Sequence, residues 1–398
     1  MPGMRIGIIG GRLAGSYAAL LLSRLGHEVL LFDGSTEKEK PCGGGVTSKA
    51  LHRISWFREH PLPHTEIRTL RMTTKDGRAA ELPLRRPIYI FSRATLDLSL
   101  RDAAIQAGAR FIPERATGFI PVGEAWAIST HRGQYEVSFL VGADGACSSV
   151  RAVTAGKYSA GDLSLALGFY LPGLYHRDTA LALFQEPGFQ GYLWSFPRVD
   201  HSSVGILRRL PSANARDLRQ RVVEFIVRNY PGAGRDMNFY AARIPCLSRE
   251  SLMRQRICGR NWALLGDAAG FADAITAEGI YFALRSAELL AQSRLSDDPL
   301  EYEAVWRQDF GAELERAAKW RDHFYGGRFL FGSFTTRAVQ ITRLSSTVQR
   351  LTDNLICGAD GYDVLRKQLL IHSPRILMEA LRDRSKKPGA RSRNYSDS

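Results

Sequence analysis

The residues best suited to chemistry begin within the first fifty positions. Gly10, Gly11 and Gly15 follow a short apolar run, Ile6-Gly7-Ile8-Ile9, and open a stretch from Leu13 to Leu25 whose apolar residues recur at helical spacing until Gly26. A second apolar run, Val29 to Phe32, ends at Asp33, about 20 residues past the glycines. Strand, tight turn, helix, strand is a βαβ unit, and its chemistry is the non-covalent capture of a dinucleotide. The turn aims free N–H groups and the positive end of a helix dipole at a pyrophosphate, and the acid holds a ribose hydroxyl. The pattern G-x-G-x-x-G asks for glycine where this chain has Arg12. Gly10 and Gly15 preserve the turn and the helix–strand contact. Arg12 either swings out, as a charge partner for the phosphates, or obstructs the site.

Other chemistry-bearing residues are spread along the chain. In Pro41-Cys42-Gly43-Gly44-Gly45 three successive glycines suit neither helix nor strand; they let backbone lie flat against a ring system, or they form a surface linker. Cys42 is a small buried hydrophobe, a reactive thiol or a cofactor neighbour. Arg93 stands at the start of a helix, a poor place for a cation by dipole reasoning, which makes sense if it faces a phosphate. A strand from Tyr135 to Val141 delivers Gly142-Ala143-Asp144-Gly145, a ligand-facing turn, and another from Trp262 to Leu265 delivers Gly266-Asp267. Gly279 and Ile280 start a long helix, a second N-terminus able to face an anionic or electron-rich group. Tyr192, Trp194 and Phe196 share one strand face by the two-residue period, as sheet core or as the wall of an apolar cavity.

The chain has 398 residues, long enough for one large core or two domains, with 44% hydrophobic and 24% charged residues, as in ordinary globular proteins. No cleavable signal is expected at the N-terminus, and no apolar run is long enough to span a bilayer. Five cysteines with neither C-x-x-C pairs nor metal-ligand spacing argue for a reducing, cytoplasmic compartment and no metal centre. A net charge of +14 favours anionic lipid head groups or a phosphorylated substrate. Nucleic acid is disfavoured, because no zinc finger or RNP-type motif is present.

The elements that position these residues read as an α/β chain. After the βαβ unit, residues 51–92 lose the helical period and give strands at Ile67–Thr73, Ala80–Leu84 and Pro87–Phe91. A helix runs to Ala107, strands cover Arg110–Pro121 and Glu124–Arg132, and four strand candidates with one helix, Asn214–Tyr230, occupy residues 160–250. Residues 300–380 are helical. Within them, Arg328 to Leu351 is amphipathic and basic, either a membrane-surface segment or part of a packed helical subdomain. The basic stretch 382–398 reads as disordered.

Together these segments resemble the FAD-dependent oxidoreductases of the p-hydroxybenzoate hydroxylase type, over roughly residues 4 to 295. The N-terminal βαβ unit, G-A-D-G at 142–145 and L-L-G-D-A-A-G-F from Leu264 occur in that group's order. P-C-G-G-G at 41–45 and Y-x-W-x-F-P at 192–197 point within it to the geranylgeranyl reductase family. Their joint occurrence favours the ligand-facing readings of Gly43–Gly45 and Tyr192–Phe196 over the structural ones.

The resemblance implies a Rossmann-like FAD-binding domain (1–50, 92–158 and 250–295) interleaved with a mixed β-sheet substrate domain (51–91 and 159–249), then a C-terminal helical region (296–381). It places Gly10, Gly11, Arg12, Ala14 and Gly15 by the FAD pyrophosphate and Asp33 on the adenosine ribose. Cys42, Gly43 and Gly45 line the isoalloxazine, Arg93 contacts the cofactor and Thr117 sits near the adenine. Asp144, Gly266 and Asp267 border the ribityl and pyrophosphate region, while Gly279 and Ile280 offer N–H groups to the flavin's pyrimidine end. Tyr192, Trp194 and Phe196 wall the substrate cavity, and Cys42, Tyr192 and Trp194 are the candidate catalytic side chains.

The implied activity is reduction of carbon–carbon double bonds of a prenyl chain, with NAD(P)H or a reduced carrier protein as donor and peripheral contact with an anionic membrane. Where the family has D-P-I-T-G-E-G, this chain has Ala274 and Ala277 in place of proline and the first glycine, so methyl groups crowd the flavin approach. The alternatives are a flavin monooxygenase or halogenase, whose W-x-W-x-I-P element Y-L-W-S-F-P partly matches, and a flavin-free relative. The oligomeric state is left open.

Overall fold

In the computed structural model the apolar runs Ile6–Ile9, Val29–Phe32 and Phe139–Val141 become the centre of a sheet, buried on both faces as parallel strands require. The structure describes residues 3–34, 39–173, 177–233, 236–295, 298, 300–329 and 331–384, with side chains to 380. Most of the 382–398 stretch expected to be disordered lies outside the described residues.

The first sheet has six strands in the order Cys258–Gly259, Trp262–Leu264, Phe139–Gly142, Arg5–Ile9, Glu28–Phe32, Arg110–Ile112. All neighbours are parallel except the Cys258–Gly259 edge pair. The glycine-turn helix, Leu13–Arg24, packs on it between the helices Arg93–Gln106 and Ile280–Gln292. A three-stranded antiparallel sheet spanning 118–137 covers the other face. Gly7 allows this contact: a Cβ there would come within 2.5 Å of Ile128 Cδ1.

The second sheet has eight strands, ordered Asn238–Pro245, Leu163–Pro172, His201–Arg209, Tyr192–Pro197, Thr179–Phe184, His64–Thr74, Ala79–Phe91, Gly45–Val46. It is antiparallel except where Thr179–Phe184 runs parallel to His64–Thr74. One face is covered by the helix Ala215–Asn229, whose Leu218, Val222 and Ile226 meet Leu167, Phe169 and Leu171. The other face is left for the site.

The tertiary structure corrects several sequence expectations. Residues 48–53 and 55–59 are short helices, although the helical period is lost there. The strands expected at Ala80–Leu84 and Pro87–Phe91 are one strand, with a register shift opposite Ile67–Thr69 that falls between Pro83 and Ile88. Arg110–Pro121 divides at Pro113: Arg110–Ile112 joins the parallel sheet and Gly118–Val122 the small one. Asn238–Pro245, not among the strands expected from sequence, is the outer strand of the second sheet, with Phe239, Ala241 and Arg243 exposed.

Arg328–Leu351 is not a surface-lying helix. It forms a hairpin (Arg328–Phe329 with Gly332–Ser333), the helix Phe334–Leu344 and the start of the helix Ser346–Ile356, and Val339 packs into the core beside Ile67 and Leu82. Among the described residues no helix is long and apolar enough to cross a membrane.

Candidate active site

Two helix N-termini converge on one cavity of about 1880 Å³. That exceeds the roughly 300–1,000 Å³ of a usual small-molecule pocket, so it has room for more than one ligand. Leu13 and Ala14 open the first helix, and Gly279 and Ile280 the second; all four line the cavity. Neither helix has a side-chain cap or an acid in its first turn, so their leading N–H groups are presented to whatever occupies the cavity.

The glycines make this arrangement possible. A Cβ on Gly15 would stand 1.8 Å from the Gly10 carbonyl oxygen, so only glycine lets the helix start this close to the first strand. Gly10 has φ +103° and likewise abuts the Ala143 carbonyl. Gly11 donates its N–H to Asp33 Oδ2 at 2.9 Å, fixing the carboxylate beside the turn. Gly266, also left-handed, sits where a Cβ would approach the Ala283 and Ala14 methyls.

Arg12 turns aside: its guanidinium meets Asp97 at 3.1 Å. The same carboxylate binds the buried guanidinium of Arg93 at 2.9 Å. The anion that the Arg93–Gln106 helix start calls for is supplied by Glu39, which accepts the Arg93 and Ala94 N–H groups and the Ser92 hydroxyl. Arg93 thus lines the cavity while tied to Asp97, which together with Cys42 outweighs burial and raises its pKa.

The Pro41–Gly45 loop lies against the second sheet, and a Cβ on Gly43 would be 2.6 Å from the Phe196 ring. Its Cys42 carbonyl accepts Arg198 Nη2 at 2.6 Å and Ser203 Oγ at 3.3 Å, and Gly44 N–H points at Cys42 Sγ at 3.3 Å. Arg198, fully buried, is also paired with Glu39. Burial alone would raise the Glu39 pKa; Arg198 and the helix N–H groups outweigh it and lower it. Sequence reading missed both residues. Arg198 directly follows Y-L-W-S-F-P, and a cation closing an aromatic strand was the available signal.

Tyr192, Trp194 and Phe196 do share a face and line the cavity, whereas Leu193 points to the opposite core and Ser195 bonds Tyr230 there. The Tyr192 hydroxyl donates to the Thr276 carbonyl at 2.6 Å, and burial raises its pKa, so it stays protonated and anchors the 273–279 loop.

That loop is an Asx-type turn in which Asp273 Oδ1 accepts the Ile275 and Thr276 N–H groups and Asp273 N–H donates to the Glu278 carbonyl at 2.9 Å. Ala277 within it has φ +59°, left-handed for a non-glycine, and its methyl packs toward the Trp194–Tyr240 cluster on the cavity wall. Ala274 is different. Its side chain packs with Cys246, Ala317 and Ala318, away from the cavity, so the expected crowding comes from Ala277 alone. Ala277→Gly should stabilise the fold by about 1 kcal/mol, read as a higher denaturant midpoint; an unchanged or lower midpoint would show that the turn is not strained.

Glu278 is a third residue that the sequence did not single out. It lines the cavity next to Gly279, half-buried, and Thr47 Oγ1 donates to it at 3.2 Å. Burial, with Asp273 and Glu313 nearby, pushes its carboxyl up to about 7, poised to exchange a proton near neutrality.

Cys42, Gly43, Gly45, Asp267, Gly279 and Ile280 all border the cavity, with Asp267 held by Lys40 at 3.2 Å. Gly10, Gly11, Gly15, Asp33 and Gly266 stand behind the lining, in or beside the turns that shape it, and two further expected contacts face elsewhere. Asp144 binds Ser148 and Ser149 at the start of a short helix, and Thr117 bonds the Ser129 carbonyl on the outer face of the small sheet; neither lines the cavity.

No protein-family model matches the chain. Curated relatives do: a geranylgeranyl diphosphate reductase of Synechocystis is 27% identical, with 82% of this chain and 83% of that protein covered. A digeranylgeranylglycerophospholipid reductase of Methanothermobacter thermautotrophicus is 28% identical over 79% of this chain and 86% of that one. Among solved structures, a geranylgeranyl bacteriochlorophyll reductase-like protein of Thermoplasma acidophilum has the same fold, with a TM-score of 0.75 and 19% identity over 96% of this chain and 99% of that one. The flavin-dependent halogenase CmlS also shares the fold, with a TM-score of 0.64 and 18% identity over 95% of this chain and 78% of that one. Motifs, fold and sequence thus agree in their likeness to the geranylgeranyl reductases.

Proposed function

We propose that this protein is an FAD-dependent oxidoreductase that reduces carbon–carbon double bonds of a prenyl chain. The observation that carries the reading is the continuity of one cavity, from two uncapped helix N-termini to an apolar half walled by Tyr192, Trp194 and Phe196. The residues present fit FAD. The Gly10–Gly15 turn leaves no room for a Cβ and Arg12 is turned toward Asp97, which leaves the first helix N-terminus to a pyrophosphate. Asp33 would hold the ribose, the Cys42–Gly45 loop would lie along the ring system, and Gly279 and Ile280 would support its electron-rich end. We take residues 1–50, 92–158 and 250–295 as the cofactor domain, with Gly45–Val46 lending an edge strand to the substrate sheet.

When bound and reduced, FAD would supply a hydride, which carries both electrons, to one alkene carbon. Glu278 gives its carboxyl proton to the other carbon, so each double bond gains two hydrogens. The apolar wall excludes water and holds an isolated alkene, a poor hydride acceptor, in register. Cys42 lies on the same wall as a second proton source, while Trp194 and the Tyr192 ring position the chain. NAD(P)H or a reduced carrier protein regenerates the reduced cofactor, and a peripheral membrane presents the substrate.

The test is product mass. The FAD-loaded protein, chemically reduced under nitrogen, should add two hydrogens per double bond to a geranylgeranyl substrate. Product containing oxygen or halogen under air would instead assign the monooxygenase or halogenase alternative. Arg12→Gly should change FAD affinity less than about threefold, because Asp97 already removes the side chain from the turn; a tenfold gain would show that it obstructs.

A further inference from the structure

We infer that the open rim of this cavity is a docking surface for an anionic lipid bilayer, through which an apolar substrate enters sideways. The inference rests on reading the cavity as a site for a long apolar chain. It keeps from the 328–351 segment only the exposed Phe329, Phe331 and Arg343, because the helix there packs through Val339, and adds the last two helices.

The cavity's third side is built by the last helices of the chain. Leu365 and Leu369 from Tyr362–Ile371 and Ile376 and Ala380 from Ser373–Arg384 face inward at one-turn spacing. Leu370 and Leu377 line the same cavity yet are 66% and 61% exposed, so the wall opens to solvent along these helices. Beside them Ile371 and Met378 are exposed as well.

The hairpin adds Phe329 and Phe331, both cavity-lining, and Phe331 is fully exposed. Phe331 has φ +60°, a conformation that costs a bulky residue energy and here holds an aromatic ring out in water. Single exposed apolar residues are ordinary; a set of them around the mouth of an apolar cavity marks an interaction site.

Charge selects the occupant. Arg343 and Arg366 lie on the same lining and are exposed, with Lys367 next to them. In sequence the residues that follow include Arg382, Arg384, Lys386, Lys387, Arg391 and Arg393, against only Asp383 and Asp397. Apolar residues flanked by cations match the depth profile of an anionic membrane surface, acyl boundary inside and head groups outside. A lipid surface also explains why the apolar rim is continuous with the cavity, since a prenyl chain would pass from bilayer to site without crossing water.

The test is co-sedimentation of the full-length, FAD-loaded protein with vesicles of phosphatidylcholine, with and without phosphatidylglycerol. The expected result is binding to the anionic vesicles, weakened at least tenfold by Ile371→Ser/Met378→Ser and by Phe331→Ser, with circular dichroism unchanged. Raised salt should weaken it too. Wild-type protein that stays in the supernatant, or binding lost only on removing residues 385–398, would overturn the rim as the docking surface. So would a dimer in sedimentation velocity that the same variants dissociate, because a second copy would then cover the face. None of these readouts uses turnover, so they fail or succeed independently of the reductase reading.

Discussion

Glu278→Gln should abolish most prenyl reduction while leaving the protein folded and able to take up flavin. Glutamine keeps the shape and the Thr47 contact but has no acidic proton to give. General acid catalysis contributes roughly 10²–10⁴-fold, so the single-turnover rate of alkene reduction should fall at least a hundredfold. Reduction of the bound cofactor by dithionite, which needs no proton at the alkene, should be unaffected.

The same substitution has a signature in stability. The Glu278 carboxyl is raised from 4.5 to about 7 by burial first, then by Asp273 and Glu313. Between those values the unfolded chain has lost its proton and the native one has kept it, so native stability falls as pH rises through the window and stays lowered above it. At about 1.4 kcal/mol per pKa unit, reduced for partial exposure, the cost is on the order of 2 kcal/mol. Glu278→Gln should therefore be more stable than wild type at pH 8 and equal to it at pH 4.5, measured by urea unfolding. Wild-type-like product rates would shift the proton to Cys42; parallel stability curves would show that the carboxyl is not raised.

Asp97→Ala should be the most destabilising single change near the cofactor end. The Asp97 carboxylate holds two cations, the half-buried Arg12 and the Arg93 guanidinium, which is 3% exposed. Removing it leaves Arg93 charged with its main partner gone, and breaking a buried pair in this way costs about 3–5 kcal/mol. The denaturant midpoint should fall accordingly, and flavin affinity with it, because Arg12 is released toward the glycine turn. Arg12→Ala should cost far less, since Asp97 retains Arg93. Replacing both buried partners, Arg93→Met with Asp97→Leu, should recover much of the stability. If Asp97→Ala costs under 1 kcal/mol, Arg93 is being held by something other than this carboxylate.

Much of the cofactor end was legible in the chain because it is local. Gly10, Gly15 and Asp33 are tied to one βαβ unit whose period and turn chemistry act over about thirty residues. Tyr192, Trp194 and Phe196 were placed on one face by the pleat alone, and the pleat put them on the cavity. Arg93 was noticed for the right reason, a cation where a dipole wants an anion, but its explanation lay elsewhere in the chain, in Glu39 and Asp97.

What the amino-acid sequence determined by itself was the parallel sheet, the glycine turn, the aromatic strand and the kinship they carry, since these depend on neighbours three to thirty residues apart. Only the tertiary structure decided where the long-range pairs fall. It turned Arg12 to Asp97, brought Arg198 under the Cys42 carbonyl, set Glu278 between Thr47 and the Gly279 helix start, and separated Ala277, on the wall, from Ala274, behind it. It also packed the Phe334–Leu344 helix, part of the segment that sequence offered to a membrane, through Val339 and left the Leu370–Met378 edge open. The physical reason is common to all of these: an amphipathic pattern states that one face will be covered, but which partner covers it is fixed by packing between segments far apart in the chain.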